Sequence, residues 1–423
     1  MKDLSISSAR FLAGTPKPTR LDRLARRAVF SRLESIEQGR LTLREGDSIR
    51  VFGDRSADCQ LCVEISILDP RFYSDVAFGG TIGAAEAYIR GYWKAGNLTP
   101  VVQLFLQNRD VMERMEQGLA RLTTPLQKVF HWINQNTRKG SRRNIAAHYD
   151  IGNEFFELML DRTMMYSAAI FEQPDVPLEE ASIAKLDRIC RKLDLKPGDR
   201  VIEIGTGWGG FAVHAARHYG CHVTTTTISR AQHDYARERI AAAGLDDQVT
   251  LLLKDYRELD GTYDKLVSIE MIEAVGHRYY DGFFGICCRL LKPDGLMFLQ
   301  AITIADQRYD DARRSVDFIQ RYIFPGGSLP SVTAITSSLT RSSDLRVVHC
   351  EDIGPHYART LRHWHDRFLG SLDAVRKLGH TDQFVRLWKY YLCYCEGAFS
   401  ERAIGNVQML IARPMNRREP FVS

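Results

Sequence analysis

Residues 201–210 read VIEIGTGWGG, and this stretch decides the fold. Its first part, VIEI, is a short apolar run that predicts a buried parallel strand. Three glycines then precede a helical segment: Gly205, Gly207 and Gly209. A turn of this kind lets a ligand lie against the backbone at the carboxyl end of a strand, beside a helix N-terminus. The stretch therefore predicts a ligand-binding α/β domain and leaves open which ligand binds.

The net charge of the chain is +5, and it is concentrated near the N-terminus. The first 50 residues hold eleven Lys/Arg and six Asp/Glu, which accounts for the whole excess. A second basic run contains Arg138, Lys139, Arg142 and Arg143. Such runs are compatible with a solvated surface or linker, and also with docking on an anionic membrane. Because the runs lack interleaved aromatic residues and a nucleic-acid-binding module, we expect anionic lipid, and no nucleic acid, as the partner.

The composition is that of a globular protein without export signals. The chain has 423 residues, of which 44% are hydrophobic and 26% charged. No N-terminal apolar run precedes a cleavage site, and no stretch of ~18 apolar residues is present. The nine cysteines, an odd number, are expected to be reduced thiols, and no metal site is expected. We therefore expect a cytoplasmic protein that associates peripherally with the inner face of the membrane.

Alternating sequence patterns predict two domains. Residues 1–133 are expected to form a small α+β domain, and the basic stretch 134–145 a linker. Within the first domain, the sequence predicts a helix at 21–38 and strands at 41–45, 49–52 and 62–68. In residues 146–423, helical segments separate the strand candidates 200–204, 222–228, 249–253, 264–270 and 296–302. This alternation predicts a doubly wound, Rossmann-like sheet.

The end of the second of these strands argues against a nicotinamide cofactor. Nicotinamide-binding folds place Asp or Glu about 20 residues beyond the glycines, where it holds the ribose hydroxyls. Here the strand ends in TTTTIS at 224–229, which contains no acid. The acid lies before the glycines instead, at Glu203, where it can face the amino-acid end of S-adenosylmethionine (SAM). The pattern therefore favours SAM.

A series of motifs covers most of the chain, from about residue 75 to about residue 412. In order, they read TIGAAEAYIRGYW, HYDIGN, MYS, EIGTGWGGF, TTISRAQ, DYREL, SIEMIEAVG, YIFPGGSLPS and YYLCYCEGAF. Together they resemble the cyclopropane-fatty-acyl-phospholipid synthase family. The resemblance implies a homodimeric enzyme that transfers a methyl group from SAM to the double bond of an acyl chain in membrane phospholipid. The usual product of the family is a cyclopropane ring.

The resemblance also defines the expected fold class and cofactor site. The fold is α/β: a doubly wound, Rossmann-like SAM methyltransferase domain with a smaller N-terminal α+β lipid-binding domain that docks on the membrane. Threonine and glutamine side chains can hydrogen-bond a ribose without adding charge, and a tyrosine ring offers adenine a flat face. The expected cofactor-binding residues are Tyr166, Ser167, Glu203, Gly205, Gly207, Gly209, Thr227, Ile228, Gln232, Asp255 and Tyr256.

The family resemblance further implies a bound bicarbonate as the catalytic base. It is held by a Cys, a Glu, a His, a Tyr and a backbone group at an Ile. Three of these match here, at Glu273, Tyr357 and Ile302. The cysteine is replaced by Ala168 and the histidine by Gln300, which can donate and accept hydrogen bonds but cannot take up a proton as histidine can. Whether bicarbonate binds is therefore left open.

Two further positions match family residues. Cys395 corresponds to a cysteine with a suspected catalytic role, but its aromatic neighbours favour a structural one, since the reaction needs no covalent enzyme intermediate. His148 and Tyr149 are candidates for lining the acyl channel.

Several functions remain compatible with these residues. Cyclopropane formation is the first expectation, and the two departures at the base make a methyl- or methylene-branched chain a serious rival. A small-molecule N- or C-methyltransferase is a second enzyme class, although a soluble amine needs neither the basic N-terminal region nor the first domain. A catalytically silent lipid-binding protein is the third alternative, which the intact cofactor motifs disfavour.

Overall fold

The structure, a computed structural model, describes residues 18–117 and 151–419 and divides into two units. In the described ranges, the first unit comprises 18–117, Val316–Arg321 and Leu372–Glu401. The second unit takes the remainder. The predicted second domain, 146–423, therefore needs a correction, because two of its segments belong to the first unit. The predicted linker, 134–145, lies outside the described residues.

The first unit is built on a small mixed sheet, as the alternating patterns predict. Its strands are β1 (Arg40–Glu45), β2 (Ser48–Gly53), β3 (Cys62–Ile67) and β4 (Trp93–Ala95), in the order β2-β1-β3-β4. Strand β1 is antiparallel to β2 and parallel to β3. Gly46 has φ +56°, in the turn that joins β1 to β2. Helices of this part of the chain are α1 (Arg20–Leu33), α2 (Arg71–Ile89), α3 (Leu98–Gln107) and α4 (Arg109–Gln117).

The second unit contains a seven-stranded sheet in the order β10-β11-β9-β8-β5-β6-β7. The strands are β5 (Arg200–Ile204), β6 (His222–Thr226), β7 (Val249–Leu252), β8 (Tyr263–Ile269), β9 (Leu291–Ile304), β10 (Arg346–Asp352) and β11 (Ile404–Ala412). Neighbours from β9 through β8, β5 and β6 to β7 are parallel, whereas β11 is antiparallel to both β9 and β10. The predicted strands are thus confirmed in position, with ends that shift by a few residues.

Helices lie on both faces of this sheet, which confirms the doubly wound prediction. Val201 packs in one core cluster with Phe211, and the next residue, Ile202, packs in the other with Phe283. Successive residues of a strand point to opposite faces, so both faces of β5 are covered. The helices that follow α4 in the described ranges are α5 (Asn153–Met159), α6 (Leu178–Leu193), α7 (Gly210–Tyr219), α8 (Arg230–Ala242), α9 (Tyr280–Leu290), α10 (Asp306–Ala312), α11 (Phe318–Tyr322), α12 (Val332–Ser342), α13 (Gly354–Gly370), α14 (Leu372–Lys377) and α15 (Asp382–Ser400).

Among the helices of the described ranges, none combines the length and the apolar character needed to cross a bilayer.

Candidate active site

The glycine-rich loop connects β5 to α7 at the carboxyl edge of the seven-stranded sheet. Its glycines have positive φ: +106° at Gly205, +53° at Gly207 and +82° at Gly209. L-residues rarely adopt this region, so glycine is favoured at all three positions. A Cβ atom on Gly210, the first residue of α7, would come within 2.5 Å of the Met165 sulfur. The sequence therefore uses glycine where the backbone must pass close to its neighbours.

Glu203 lies in β5 just before this loop and is 2% exposed. Its carboxylate accepts a hydrogen bond from Thr225 Oγ1 at 2.6 Å, and the same hydroxyl lies 2.7 Å from Thr206 Oγ1. Burial raises the pKa of Glu203 to about 8, against the opposing effects of the Thr225 hydrogen bond and the Lys185 charge. A carboxylate has about four lone-pair sites, so Glu203 retains capacity for a cationic partner.

Lys185, in α6, is a buried cation that the sequence analysis does not single out. Its Nζ donates a hydrogen bond to Ser167 Oγ at 2.8 Å, so a predicted cofactor residue is held by this lysine. Burial lowers the pKa of Lys185 to about 8, whereas the charges of Glu270, Asp161 and Glu203 act to raise it. Lys185 therefore interacts electrostatically with three acids, one of which, Glu203, precedes the glycine loop.

The predicted ribose-binding residues follow β6 and are bonded to one another. Thr227 Oγ1 donates to Gln232 Oε1 at 3.0 Å, and Ser229 N donates to Thr227 Oγ1 at 3.1 Å. Ser229 also caps α8 by accepting a hydrogen bond from Gln232 N. Ile228 is half-buried between these residues in the chain. This network fixes Thr227 and Gln232 beside the glycine loop, because Gly205 N donates to the carbonyl of Thr226 at 3.1 Å.

The predicted adenine-binding pair follows β7. The carboxylate of Asp255 binds the Arg257 guanidinium at 2.7 and 2.8 Å and accepts a hydrogen bond from Arg257 N. The Tyr256 ring packs edge-on against Phe283, with centroids 5.5 Å apart, and burial raises the pKa of its hydroxyl to about 12. The structure thus brings both residues to the edge that holds the glycine loop, with Asp255 already paired.

A carboxylate that the sequence analysis does not single out, Glu270, is held by four donors. Its Oε1 accepts hydrogen bonds from Ala168 N at 3.0 Å, Gln300 Nε2 at 2.8 Å and Asn406 Nδ2 at 2.5 Å. Its Oε2 accepts one from the Tyr357 hydroxyl at 2.8 Å. We call Glu270 with these four donors the Glu270 cradle. Three of the four donors belong to positions that the family resemblance assigns to the bicarbonate site. Ala168 and Gln300 differ from the family residues there, and Tyr357 matches.

The backbone of Glu270 is strained. The residue directly follows β8 and has φ +48°, in the left-handed region that glycine normally occupies. Such a conformation costs of order 1–3 kcal/mol and persists only where surrounding contacts hold it. The hydrogen bond from Glu270 N to the carbonyl of Gln300, 2.7 Å long, is one such contact. The strain directs attention to Glu270 as a functional residue.

Glu273 lies three residues beyond Glu270 in the chain, and its carboxyl group is buried. Its Oε1 accepts a hydrogen bond from Ile302 N, so these two predicted residues are brought together. Its Oε2 is buried and has no hydrogen-bond partner within residues 18–117 and 151–419. Burial, and then the negative charge of Glu270, raise the pKa of Glu273 to about 8. Glu273 is therefore protonated near neutral pH and can donate a hydrogen bond.

Aromatic rings continue from the cradle to Tyr166. Tyr357 packs edge-on against Trp364 at 5.9 Å, and the Trp364 ring lies 5.2 Å from that of Tyr166. Phe156 and Phe324 approach Tyr166 at 5.4 and 6.3 Å. The acids of the site are thus next to an extended apolar wall, which is the surrounding that a hydrocarbon ligand needs.

Two further predicted site residues are Cys395 and Tyr149. Cys395 lies in α15 of the first unit, and burial raises the pKa of its thiol, which disfavours the thiolate. Its nucleophilic role gains no support, and its structural role stays a prediction. Tyr149, with His148, lies outside the described residues. Sequence reasoning missed Lys185 and Glu270, and the only signal for Glu270 is a second acid three positions before Glu273 in SIEMIEAVG.

Comparisons with known proteins define the class first. This chain is a SAM-dependent methyltransferase, because its fold and its sequence match those of cyclopropane synthases. A solved structure of the mycolic acid cyclopropane synthase CmaA1, complexed with SAH and CTAB, matches with a TM-score of 0.59 and 32% identity. The match covers 64% of this chain and 98% of that one.

The family follows from a sequence model. The family model described as mycolic acid cyclopropane synthetase matches residues 136–409, and the chain belongs to this family. Tuberculostearic acid methyltransferase UfaA1 of Mycobacterium tuberculosis is 39% identical over 341 residues, which cover 79% of each chain. Cyclopropane-fatty-acyl-phospholipid synthase of Escherichia coli is 37% identical over 358 residues, covering 83% of this chain and 88% of the relative. The predicted family and enzyme class are thereby confirmed.

Proposed function

We propose that this enzyme transfers the methyl carbon of SAM to the double bond of an unsaturated acyl chain in a membrane phospholipid. The observation that carries the proposal is the pairing of the Glu270 cradle with the aromatic wall around Tyr166. An alkene is a weak nucleophile, so it must be held in line with the methyl donor in a dry pocket. After the attack, a base must remove one proton. An apolar wall beside a fixed carboxylate meets both needs.

The residues at the carboxyl edge of β5, β6 and β7 fit SAM. The positive-φ glycines give the backbone room to contact a ligand, and Glu203 has free acceptor capacity for the ammonium group of SAM. We assign Tyr166, Ser167, Thr227, Ile228, Gln232, Asp255 and Tyr256 to the remainder of that cofactor site. SAM, when bound, supplies an electrophilic methyl group on a sulfonium centre.

The exposed face of α1 supports docking on an anionic membrane. Arg20, Arg23 and Arg27 are exposed on this helix, and between them Leu21 and Leu24 expose 51% and 63% of their surface. A helix that presents arginines with solvent-exposed leucines is typical of one that lies on anionic lipid. Peripheral association with the inner membrane face, and a homodimer by family resemblance, are part of the proposal.

The experiment that tests the function is product analysis. Purified enzyme is incubated with SAM and vesicles of a monounsaturated phospholipid, and the acyl chains are analysed by mass spectrometry. We expect the acyl mass to rise by one CH₂ unit, more on anionic than on zwitterionic vesicles, and not on saturated vesicles. Methylation of a soluble amine without any change in phospholipid would instead favour the small-molecule alternative.

Ring closure is the first candidate outcome of the reaction, and a branched chain is the second. Loss of a proton from the new methyl carbon closes a cyclopropane, whereas a hydride shift before proton loss gives a methylene branch. Two observations support the second candidate: the Glu270 cradle departs from the family pattern, and a tuberculostearic acid methyltransferase is among the similar proteins. Because both products have the same mass, proton NMR must separate cyclopropyl signals from those of an exocyclic methylene.

A further inference from the structure

We propose that Glu270 is a catalytic residue: its carboxylate takes up the proton released after carbon transfer and replaces the bicarbonate that the family resemblance implies. This inference rests on the proposed function and assigns a residue of the chain to a task that the resemblance gives to a bound anion. It stands on the geometry of the Glu270 cradle.

The donors in the cradle do not fit an added anion. Ala168 N, Gln300 Nε2 and the Tyr357 hydroxyl belong to positions that the resemblance assigns to the bicarbonate site, and all three donate to the Glu270 carboxylate. Residue 168 is alanine here, so the thiol of the family's cysteine is missing from the site. An additional anion would find these donors taken and would lie beside a second negative charge, which repels it. The structure and the implied bicarbonate therefore disagree.

A chain of buried side chains fixes the amide of Gln300 as a donor. The ammonium group of Lys192 can donate hydrogen bonds but cannot accept them, so its Nζ donates to Gln408 Oε1 at 2.7 Å. The amide nitrogen of Gln408 then faces Gln300 and donates to its Oε1 at 2.9 Å. This leaves Gln300 Nε2 directed at the carboxylate of Glu270. The replacement of histidine by glutamine thus produces a pure donor at that position, suited to holding a carboxylate.

The same geometry leaves one oxygen of Glu270 able to take a proton. Oε1 accepts three hydrogen bonds, whereas Oε2 accepts only the one from Tyr357 among the described side chains. A carboxylate oxygen has two lone pairs, so Oε2 retains one. The C–H bond next to a carbocation is so acidic that even a well-solvated carboxylate can remove the proton. Placement of the base therefore matters more than its strength.

Glu273 is unsuited to the same task. Its pKa is raised to about 8 by burial and by the charge of Glu270, so it holds its own proton near neutral pH. Glu270, by contrast, is held by four hydrogen-bond donors.

The step balances without a further reactant. The C–S bond of the donor breaks as a new C–C bond forms, and the acyl chain carries the positive charge. A C–H bond of the acyl chain then breaks, and its electron pair forms either the last ring bond or a double bond. The proton passes to Glu270 Oε2 and later to solvent. The net reaction releases the demethylated donor, the altered lipid and one proton.

The test compares the wild-type enzyme with Glu270→Gln and Glu270→Gly on unsaturated phospholipid vesicles, in buffer stripped of carbon dioxide. We expect the stripped buffer to leave wild-type turnover unchanged, and Glu270→Gln to lose about 100-fold or more of its turnover. Glu270→Gly frees the donors and relieves the positive φ, so we expect added bicarbonate to restore its turnover. A wild-type enzyme that stalls in stripped buffer and recovers with bicarbonate would overturn the proposal, and so would a fully active Glu270→Gln.

Two matched controls separate catalysis from folding. Asp194→Gly relieves a positive φ of +52° at a helix end, and Glu238→Gln removes an exposed carboxylate from α8. We expect both to retain wild-type turnover. Calorimetric titration with SAM should give the wild-type affinity for Glu270→Gln and for Glu270→Gly, which would show that both variants are folded.

A second measurement does not depend on turnover. Titration with isotope-labelled bicarbonate, followed by NMR, should show saturable binding to Glu270→Gly and none to the wild type. Saturable binding to the wild type would overturn the proposal. If the wild type binds SAM but alters no unsaturated phospholipid, the proposed function fails. The bicarbonate titration then still decides whether Glu270 occupies the place of the anion.

Discussion

Glu203 lies in β5 and Glu270 directly follows the neighbouring parallel strand β8, and the two carboxylates have very different numbers of hydrogen-bond donors. Glu203 accepts a hydrogen bond from Thr225, and burial raises its pKa to about 8. Glu270 accepts four hydrogen bonds and sits on a strained backbone. The negative charges of both glutamates act to raise the pKa of the buried Lys185. Among the described residues, one acid of the site therefore has a single donor and the other has four.

This difference indicates two separate tasks. An acid with few donors gains most when a cationic ligand arrives, which suits the ammonium end of SAM. An acid held in advance loses nothing to reorganisation during the reaction, which suits a base that must be in place when the carbocation forms. If this interpretation is right, substitutions at the two glutamates should affect different measurements.

The largest effect that we expect at Glu203 is on the pH dependence of stability. The folded protein keeps the Glu203 proton up to about pH 8, whereas an unfolded glutamate releases it near pH 4.5. The folded state therefore binds more protons between these values, and the free energy of unfolding falls as the pH rises through this window. Each pH unit contributes about 1.4 kcal/mol, so the total is a few kcal/mol.

Urea unfolding at about pH 5 and about pH 8 measures this slope. The variant Glu203→Gln keeps the shape of the side chain without its titration, so it should lose less stability than the wild type between the two conditions. The exposed Glu238→Gln should behave as the wild type does. Equal slopes for the wild type and Glu203→Gln would contradict the buried, protonated state of Glu203.

The next effect concerns SAM affinity. A hydrogen bond to a charged group contributes about 1.5–3 kcal/mol, so Glu203→Gln should weaken SAM binding about 10- to 100-fold. Isothermal titration calorimetry measures it, and Glu270→Gln serves as the comparison because its SAM affinity should not change. If Glu270→Gln weakened SAM binding as much as Glu203→Gln does, the assignment of separate tasks to the two acids would be wrong.

The same comparison explains how much of this molecule the sequence predicts. The glycines, Glu203 and the strands around them are local in the chain, since one motif carries the turn, the strand and the acid. The doubly wound fold and the family were therefore within reach of sequence reasoning. The Glu270 cradle draws its donors from four distant segments, and only the fold brings Ala168, Gln300, Tyr357 and Asn406 to one carboxylate.

Some errors of prediction have equally physical causes. The predicted boundaries of the second domain were wrong because Val316–Arg321 and Leu372–Glu401 belong to the first unit. No shift in composition marks these two segments in the sequence. The strand expected at 296–302 begins earlier, because Lys292–Gly295, a sequence typical of a turn, lies inside β9. The pairing with β8 is irregular there: Tyr263 pairs with Leu291, and Lys265 with Leu296. A bulge of this kind allows proline and glycine within a strand.

The smallest effect that we expect is at Tyr357, which donates the only hydrogen bond to Glu270 Oε2 among the described residues. Tyr357→Phe keeps the ring against Trp364 and removes one donor, so turnover should fall about tenfold while SAM affinity stays constant. Tyr219→Phe is the matched control, because it removes a hydroxyl bonded to the carboxylate of Asp187 at 2.6 Å and leaves the cradle intact. Product formation under SAM saturation measures the change. If the two tyrosine variants lost turnover equally, the hydroxyl of Tyr357 would have only a structural role, whereas a selective loss at Tyr357 means that the second oxygen of Glu270 must be aimed to act.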